Sequence, residues 1–277
     1  MILFTGVKIV FQIFDFNLGD KKNIVLILLQ ILCLYIPSLI YIKVYRLNKK
    51  ETMKRRHFKM KYLPFIIIFS LAISLTAAIL NSFLYSLDIT KSFIQTASAN
   101  ADSSYLGILA VAIIPAFFEE FLFRGVFQNE MQDKKVWNVM LVSAIVFALF
   151  HLSVDNFFGP LLAGFGYAFL VIVFNSVYPA VIAHIVNNLF FIFAAFIGKN
   201  ISNAAGGTLV DFLAIVLYLL IIIITLKLIE KVINENSKKL KGRTASVFPE
   251  LFKSIAFWLM IVIVISENIL SYILKVH

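Results

Sequence analysis

Cysteine and charge are what this 277-residue sequence has least of. Its one cysteine, Cys33, lies within an apolar run, so no disulfide can form inside the chain and C-x-x-C redox and metal motifs are excluded. Charged residues make up 14%, whereas ordinary soluble domains carry about a quarter. The 11 glycines and 6 prolines are scattered, so no linker or low-complexity segment is indicated.

Apolar residues dominate instead. Hydrophobic residues make up 61% of the sequence and the mean hydropathy is +0.94, more than a soluble fold can bury. The composition therefore predicts an integral membrane protein. The formal net charge is +10, but the basic residues lie in short loops between apolar runs and not in one Arg-rich domain. This distribution predicts contact with membrane lipid and no nucleic-acid partner.

Eight apolar segments are long enough to cross a membrane, which takes roughly 20 residues of helix. They cover residues 24–42, 62–87, 105–128, 136–152, 157–174, 178–197, 208–228 and 255–274. The predicted fold class is all-α, a polytopic transmembrane helical bundle forming a single membrane domain over residues 1–277. Residues 1–20 are broken by Lys8 and Asp15 and lack a small-residue cleavage site, so we predict an interfacial segment there.

The basic residues also predict an orientation, because cytoplasmic loops collect Lys and Arg. Segments 43–61, 124–135 and 227–253 contain nine, three and seven of them, so 19 of the 25 lie on one side of an eight-span chain. We therefore expect these segments in the cytoplasm and both termini outside it. A basic cytoplasmic face would favour anionic lipid.

Charged and polar side chains occur inside three of the spans, where a charge costs several kcal/mol and usually marks pairing, a cavity or function. They are Glu119, Glu120 and Arg124 in the third span, His151 in the fourth, and His184 and Asn188 in the sixth.

Helical spacing predicts how these side chains divide. Glu120 and Arg124 are four residues apart and should pair, which leaves Glu119 as the freer carboxylate and a candidate general base. His184 and Asn188 are also four apart and should face one cavity. In the hairpin around the turn near Lys134, Glu119 lies 15 residues before the turn and His151 lies 17 after it. The two should reach a similar depth.

Less specific interpretations exist for each polar residue. A structural network between helices, or a proton relay in a transporter, explains any single intramembrane His or Asn. Glu267 and Asp211 have no readable partner, and we interpret them as helix-packing or lining residues. Gly164 and Gly166 should permit close approach of two helices.

At these residues the sequence resembles the CAAX protease and bacteriocin-processing family of intramembrane endopeptidases, also called the Abi family. That family carries E-E-x-x-x-R, F-x-x-x-H and H-x-x-x-N or D, in this order. Each motif is weak alone, but the ordered set is specific. The resemblance covers residues 105–195, the predicted catalytic core helices, where the motifs read Glu119-Glu120-x-x-x-Arg124, Phe147-x-x-x-His151 and His184-x-x-x-Asn188.

The resemblance implies hydrolysis of a peptide bond by a water molecule activated within the membrane. Glu119 would be the general base, and His151 would help to orient or deprotonate the water. His184 and Asn188 would stabilise the tetrahedral oxyanion, for which preorganised donors in a dry cavity are effective.

Two mechanisms share these residues. In one, His151, His184 and Glu119 bind zinc, which lowers the pKa of a bound water. In the other no metal is needed. The H-E-x-x-H spacing of soluble zinc proteases is absent and the ligands would come from different helices, so the sequence does not separate the two forms. Of the two, we favour the metal-free form. In both, Glu120 and Arg124 would hold the helix and tune Glu119.

The substrate implied by the resemblance depends on the organism. Eukaryotic members remove a C-terminal tripeptide from prenylated proteins, whereas bacterial relatives are associated with bacteriocin maturation, self-immunity or peptide signalling. The Lys-, Ile-, Phe- and Asn-rich usage suggests an A+T-rich bacterial genome. We therefore expect a membrane-associated peptide or protein substrate, in a bacterial plasma membrane, with the active site in the cytoplasmic half.

Two other classes of function remain open. A proton-coupled transporter would use the glutamates and histidines as a relay, although no inverted repeat or pair of broken helices is visible. A non-catalytic membrane scaffold that regulates a partner is compatible with the same sequence.

Overall fold

A computed structural model of the chain describes residues 21–48, 52, 58–87, 104–154, 156–201, 208–236 and 245–276. Side chains are described in these ranges except at 196–201, 208–214 and 270–276. The interfacial segment predicted at residues 1–20 lies outside the described residues, and so does the side chain of Asp211.

The described residues form helices and turns and contain no strand. Each of the eight predicted spans coincides with a helix of 15 residues or more, and one short helix, α8, precedes the last of them. The helices are α1 (Lys22–Val44), α2 (Met60–Ser86), α3 (Tyr105–Glu130), α4 (Val136–Phe150), α5 (Phe158–Phe174), α6 (Tyr178–Ile201), α7 (Thr208–Asn236), α8 (Phe248–Lys253) and α9 (Ile255–Val276).

Helix length separates two groups of spans. Helices α1, α2, α3 and the Tyr178–Ala195 part of α6 are long and apolar enough to cross a membrane. Helices α4 and α5 are apolar but shorter, with 15 and 17 residues. At 1.5 Å per residue α4 and α5 measure about 22 and 26 Å, less than the ~30 Å hydrocarbon core. The all-α polytopic bundle is confirmed, with a short hairpin at its centre.

Two glycines bring α5 close to its neighbours, as the sequence predicted. A Cβ atom on Gly164 would lie 3.1 Å from the Cα of Ala144 and from a ring carbon of Phe147, so glycine is required for the tight α4–α5 contact. A Cβ atom on Gly166 would overlap the side chain of Ile73 on α2. The largest apolar core therefore joins α2, α4, α5 and α6 around α5.

Helix α3 departs from regular geometry where the site forms. It contains π-helical turns at Leu109–Ile113 and Phe121–Phe127, and such turns often occur at functional sites. Pro115 has no N–H group, so the carbonyl of Val111 lacks its usual helical partner. Gln30 of α1 donates to the neighbouring carbonyl of Ala110 at 3.0 Å. These backbone acceptors are thus available to side chains from other helices.

Contacts among α3, α4 and α5 fix the relative heights of their residues. Arg124 of α3 donates to the carbonyl of Gly164 on α5, and Gly164 packs against Ala144 of α4. Counted from this level at 1.5 Å per residue, Glu119 lies about 7.5 Å and His151 about 10 Å toward the α4–α5 connection. Their similar height agrees with the hairpin spacing. Because α3 continues well beyond Glu119, the α4–α5 connection lies beside the middle of the bundle.

Candidate active site

A fully buried ion pair occupies the centre of the site. The guanidinium Nε of Arg124 lies 3.2 Å from Oε2 of Glu120, and both side chains have no solvent exposure. Arg124 also donates from Nη2 to the carbonyl of Gly164 at 2.9 Å, and its guanidinium lies 4.5 Å from the ring centre of Phe147. The structure therefore contains the pair that the four-residue spacing predicted.

Gln128 continues the same polar stripe and is a residue that the sequence analysis missed. It is buried one turn after Arg124 and donates from Nε2 to the carbonyl of Ala168 at 3.2 Å. The signal was present in the sequence, because Glu120, Arg124 and Gln128 follow one another at intervals of four. Together with Arg124, Gln128 fastens α3 to α5.

His184 joins α6 to this pair. Its Nδ1 lies 3.0 Å from Oε1 of Glu120, and its Nε2 lies 4.0 Å from Oε2 of Glu119. The imidazole stacks on the ring of Tyr167, with ring centres 5.0 Å apart and planes at 23°, and meets the edge of Phe147 at 5.7 Å. Two aromatic rings and a carboxylate thus fix the orientation of His184.

The contacts of His184 determine which nitrogen faces Glu119. Glu120 contacts Arg124 through Oε2, and its Oε1 accepts the Nδ1–H of His184. Nε2 is then the nitrogen directed toward Glu119.

His151 is the C-cap of α4, whose last helical residue is Phe150, two residues before the predicted boundary. Its Nδ1 lies 2.9 Å from the carbonyl of Phe147, and since a carbonyl only accepts, Nδ1–H is the donor. This bond satisfies one of the free carbonyls at a helix C-terminus and leaves Nε2 available. The ring of Phe147 contacts both His151, at 4.8 Å, and His184.

Asn188 is directed at the irregular part of α3. Its Nδ2 donates to the carbonyls of Val111 and Ala112, at 3.4 and 3.3 Å. The carbonyl of Val111 is the one that Pro115 leaves without a helical partner. The side-chain amide of Asn188 thus contacts two carbonyls of the irregular part of α3.

Glu119 differs from Glu120 in exposure and in its relation to Arg124. Its side chain is 14% exposed, whereas that of Glu120 has no exposure, and it takes no part in the ion pair with Arg124. Its Oε2 lies 4.0 Å from Nε2 of His184. The division of the two glutamates into a paired and a freer carboxylate is thus present in the structure.

Sequence and structure differ on how the site residues are grouped. Helical spacing grouped His184 with Asn188 and paired Glu120 with Arg124. In the structure, Glu120 contacts both Arg124 and His184. Spacing along one helix cannot reveal a contact between residues 64 positions apart. Tyr167, the stacking partner of His184, likewise has no sequence signal. The catalytic roles of the predicted residues remain predictions.

The side chains proposed as zinc ligands do not form a metal-binding group. Among the described residues, no three His, Cys, Asp or Glu side chains are arranged to hold one ion. The bond from Nδ1 of His184 to Glu120 does resemble the support that carboxylates give to metal-binding histidines. The proposed ligand set is therefore not assembled among these side chains.

Comparison with known proteins identifies the central part of the chain. Residues 101–190 match the profile of the Rce1-like family, described as type II CAAX prenyl endopeptidase Rce1-like. The match covers less than half of the chain and contains Glu119, Glu120, Arg124, His151, His184 and Asn188. No curated protein and no solved structure matches the chain.

Proposed function

We propose that this member of the CAAX protease family, recognised through residues 101–190, is an intramembrane endopeptidase that hydrolyses a peptide bond in a membrane-associated peptide or protein. The observation that carries the proposal is the arrangement around His184. Glu120 holds one ring nitrogen at 3.0 Å, and the other faces Glu119 at 4.0 Å.

Glu119 acts as the general base in this mechanism. Water bound between Glu119 and Nε2 of His151 loses a proton to the carboxylate and attacks the scissile carbonyl carbon. The protonated Glu119 then donates that proton to the leaving amine as the C–N bond breaks. The fixed Nδ1 bond of His151 supports the role of its Nε2 in orienting the water.

His184 and Asn188 stabilise the oxyanion that forms during attack. An oxyanion needs donors, and in this mechanism His184 donates through its Nε2–H and Asn188 through its side-chain amide. Both side chains are held by other contacts, His184 by Glu120 and Asn188 by the backbone of α3. Donors fixed in advance need no reorganisation when charge develops.

Comparative peptidomics tests the proposed activity. Membranes of cells that express the wild-type protein should contain peptides that are absent when Glu119→Ala replaces it, and uncleaved precursors should accumulate in the variant. Equal membrane levels of the two proteins provide the control. Identical peptide profiles, together with full biological activity of Glu119→Ala, would favour the non-catalytic scaffold. A change in proton flux without any cleavage would favour the proton-coupled transporter.

Chelation tests the metal-free form of the mechanism. We expect purified active protein to contain much less than one zinc per chain and to keep its cleavage rate after treatment with a strong chelator. The physical reason is that Glu119, His151 and His184 supply base, water orientation and oxyanion donors without a Lewis acid. Stoichiometric zinc, with loss of cleavage on chelation and recovery on adding zinc, would replace this form by the zinc mechanism.

The apolar surroundings of the site and its position along α3 support our proposals for the substrate and for the location of the site. A site between apolar helices favours a substrate that partitions into the membrane, either a hydrophobic peptide or one carrying a prenyl group. Glu119 lies 11 residues from the end of α3 at Glu130 and 14 from its start at Tyr105, so it is closer to the basic end. We therefore place the site in the cytoplasmic half of a bacterial plasma membrane.

A further inference from the structure

The segment that follows His151 is held by a side chain from the opposite end of the sequence. Asn268 of α9 donates from Nδ2 to the carbonyl of Leu152 at 3.1 Å, and its Oδ1 accepts the N–H of Val154 at 3.2 Å. The same Nδ2 also donates to the carbonyl of Val264 within α9, at 2.7 Å. Both amide hydrogens and the carbonyl oxygen of Asn268 are therefore used.

The backbone held by Asn268 is in an unfavourable conformation. Leu152 has a φ of 57°, in the left-handed region that branched side chains seldom adopt. Its side chain is 4% exposed and is therefore fixed in the core. Such a conformation persists only where the surroundings impose it. The two hydrogen bonds from Asn268, one on each side of Ser153, supply that constraint.

His151 is the residue directly before this constrained backbone. Its own backbone N–H bonds to the carbonyl of Ala148, and its ring bonds to the carbonyl of Phe147, so both contacts lie on the α4 side. On its other side, the position of the His151 backbone is set by Leu152 and hence by Asn268. A change in the Leu152 backbone would move the His151 ring relative to Glu119.

We propose that Asn268 is a positioning residue of the active site, which sets the place of His151 by fixing the backbone of Leu152 and Val154. The proposal rests on the proposed function, since it assigns His151 to the water-orienting role. Asn268 lies on α9, outside residues 101–190, so the chain completes its family segment with a residue from elsewhere.

The test compares Asn268→Leu, which keeps the size of the side chain and removes its hydrogen bonds, with Ser266→Ala on the same helix. Ser266 donates to the carbonyl of Ile263 in its own helix and is the matched control. The probe is an internally quenched prenylated peptide ending in a C-a-a-X sequence, assayed with purified protein in lipid nanodiscs. A displaced catalytic group costs up to about 100-fold in rate, so we expect kcat of Asn268→Leu to fall about 10- to 100-fold with KM nearly unchanged.

A second measurement needs no substrate. Hydrogen–deuterium exchange at the amide of Val154 should accelerate in Asn268→Leu and stay as in the wild type in Ser266→Ala, while α3 keeps its protection in both. Asn268→Asp retains the acceptor for Val154 and should recover part of that protection. Unchanged exchange at Val154, or a kcat equal to that of Ser266→Ala, would overturn the assignment of Asn268. A loss of kcat/KM of the same size that came from a higher KM, with kcat unchanged, would also overturn it.

Failure of this proposal is distinguishable from failure of the proposed function. If Glu119→Gln and His151→Ala abolish cleavage of the probe while Asn268→Leu cleaves normally, the function stands and the role of Asn268 is refuted. If neither the wild-type protein nor any variant cleaves the probe and the peptide profiles are identical, the proposed function fails, and exchange at Val154 still decides whether Asn268 holds the connection.

Discussion

Glutamine in place of Glu119 is expected to lower kcat by about 10²- to 10⁴-fold, the range that a positioned general base contributes. Glutamine has nearly the same shape but cannot accept the proton of the attacking water. The free energy of unfolding should change little, because Glu119 is partly exposed and takes no part in the buried ion pair. The measurement is single-turnover cleavage of the quenched peptide at equal amounts of folded protein.

Glu130→Gln is the matched control for this substitution. Glu130 lies on the same helix and is exposed at its end, so its replacement removes one carboxylate from α3 without touching the site. It should cleave at the wild-type rate. Wild-type kcat in Glu119→Gln would exclude Glu119 as the base, and a matching loss in Glu130→Gln would attribute the effect to the charge of the helix.

Methionine in place of Arg124 is expected to destabilise the protein by about 3–5 kcal/mol, the cost of leaving a buried charge without its partner. Glu120 would then be fully buried with His184 as its one remaining partner among the contacts described above. The guanidinium also bridges α3 to the Gly164 carbonyl and lies over Phe147, so packing is lost with the charge. Reversible unfolding in mixed detergent micelles measures the change.

A double-mutant cycle separates the pair from its surroundings. Glu120→Gln should also destabilise, since it leaves Arg124 unpaired, whereas Glu120→Gln with Arg124→Met should cost less than the sum of the two. Lys135→Met, which removes an exposed cation from the α3–α4 turn, should have little effect. Additive losses would show that the two side chains do not stabilise the bundle as a pair.

Arg124→Lys is not a conservative change at this position. Lysine has no planar fork, so it cannot contact Glu120 and the carbonyl of Gly164 in the present geometry. The orientation of His184 depends on Glu120, and so the proposed oxyanion donor is coupled to the ion pair. In this site, the residues that stabilise the fold also orient the proposed catalytic groups.

The polar set in the spans was readable from the sequence because it obeys local rules. Glu120 and Arg124 pair because residues four apart share a helix face, and Gln128 extends that rule by one more turn. The similar height of Glu119 and His151 follows from equal rise per residue on both sides of one hairpin. The small residue at position 164 indicated the close contact of α5 with a neighbour.

Contacts between distant segments were not readable in this way. The bond from Glu120 to His184 depends on how α3 and α6 pack. The early end of α4 depends on the left-handed conformation of Leu152, and that in turn depends on Asn268 from α9. A single sequence contains no local signal for such pairs, because they are selected by packing and not by spacing.

The sequence by itself thus determined that the chain is a helical membrane protein, which spans carry the polar residues, and which of two adjacent glutamates is paired. Helix periodicity and the cost of charge in a membrane are sufficient for those conclusions. Only the tertiary structure decided which nitrogen of His184 faces Glu119, and that a remote asparagine holds the backbone after His151. A hydrogen bond between two helices requires a particular orientation of its donor and acceptor, and that orientation is set only when the helices pack.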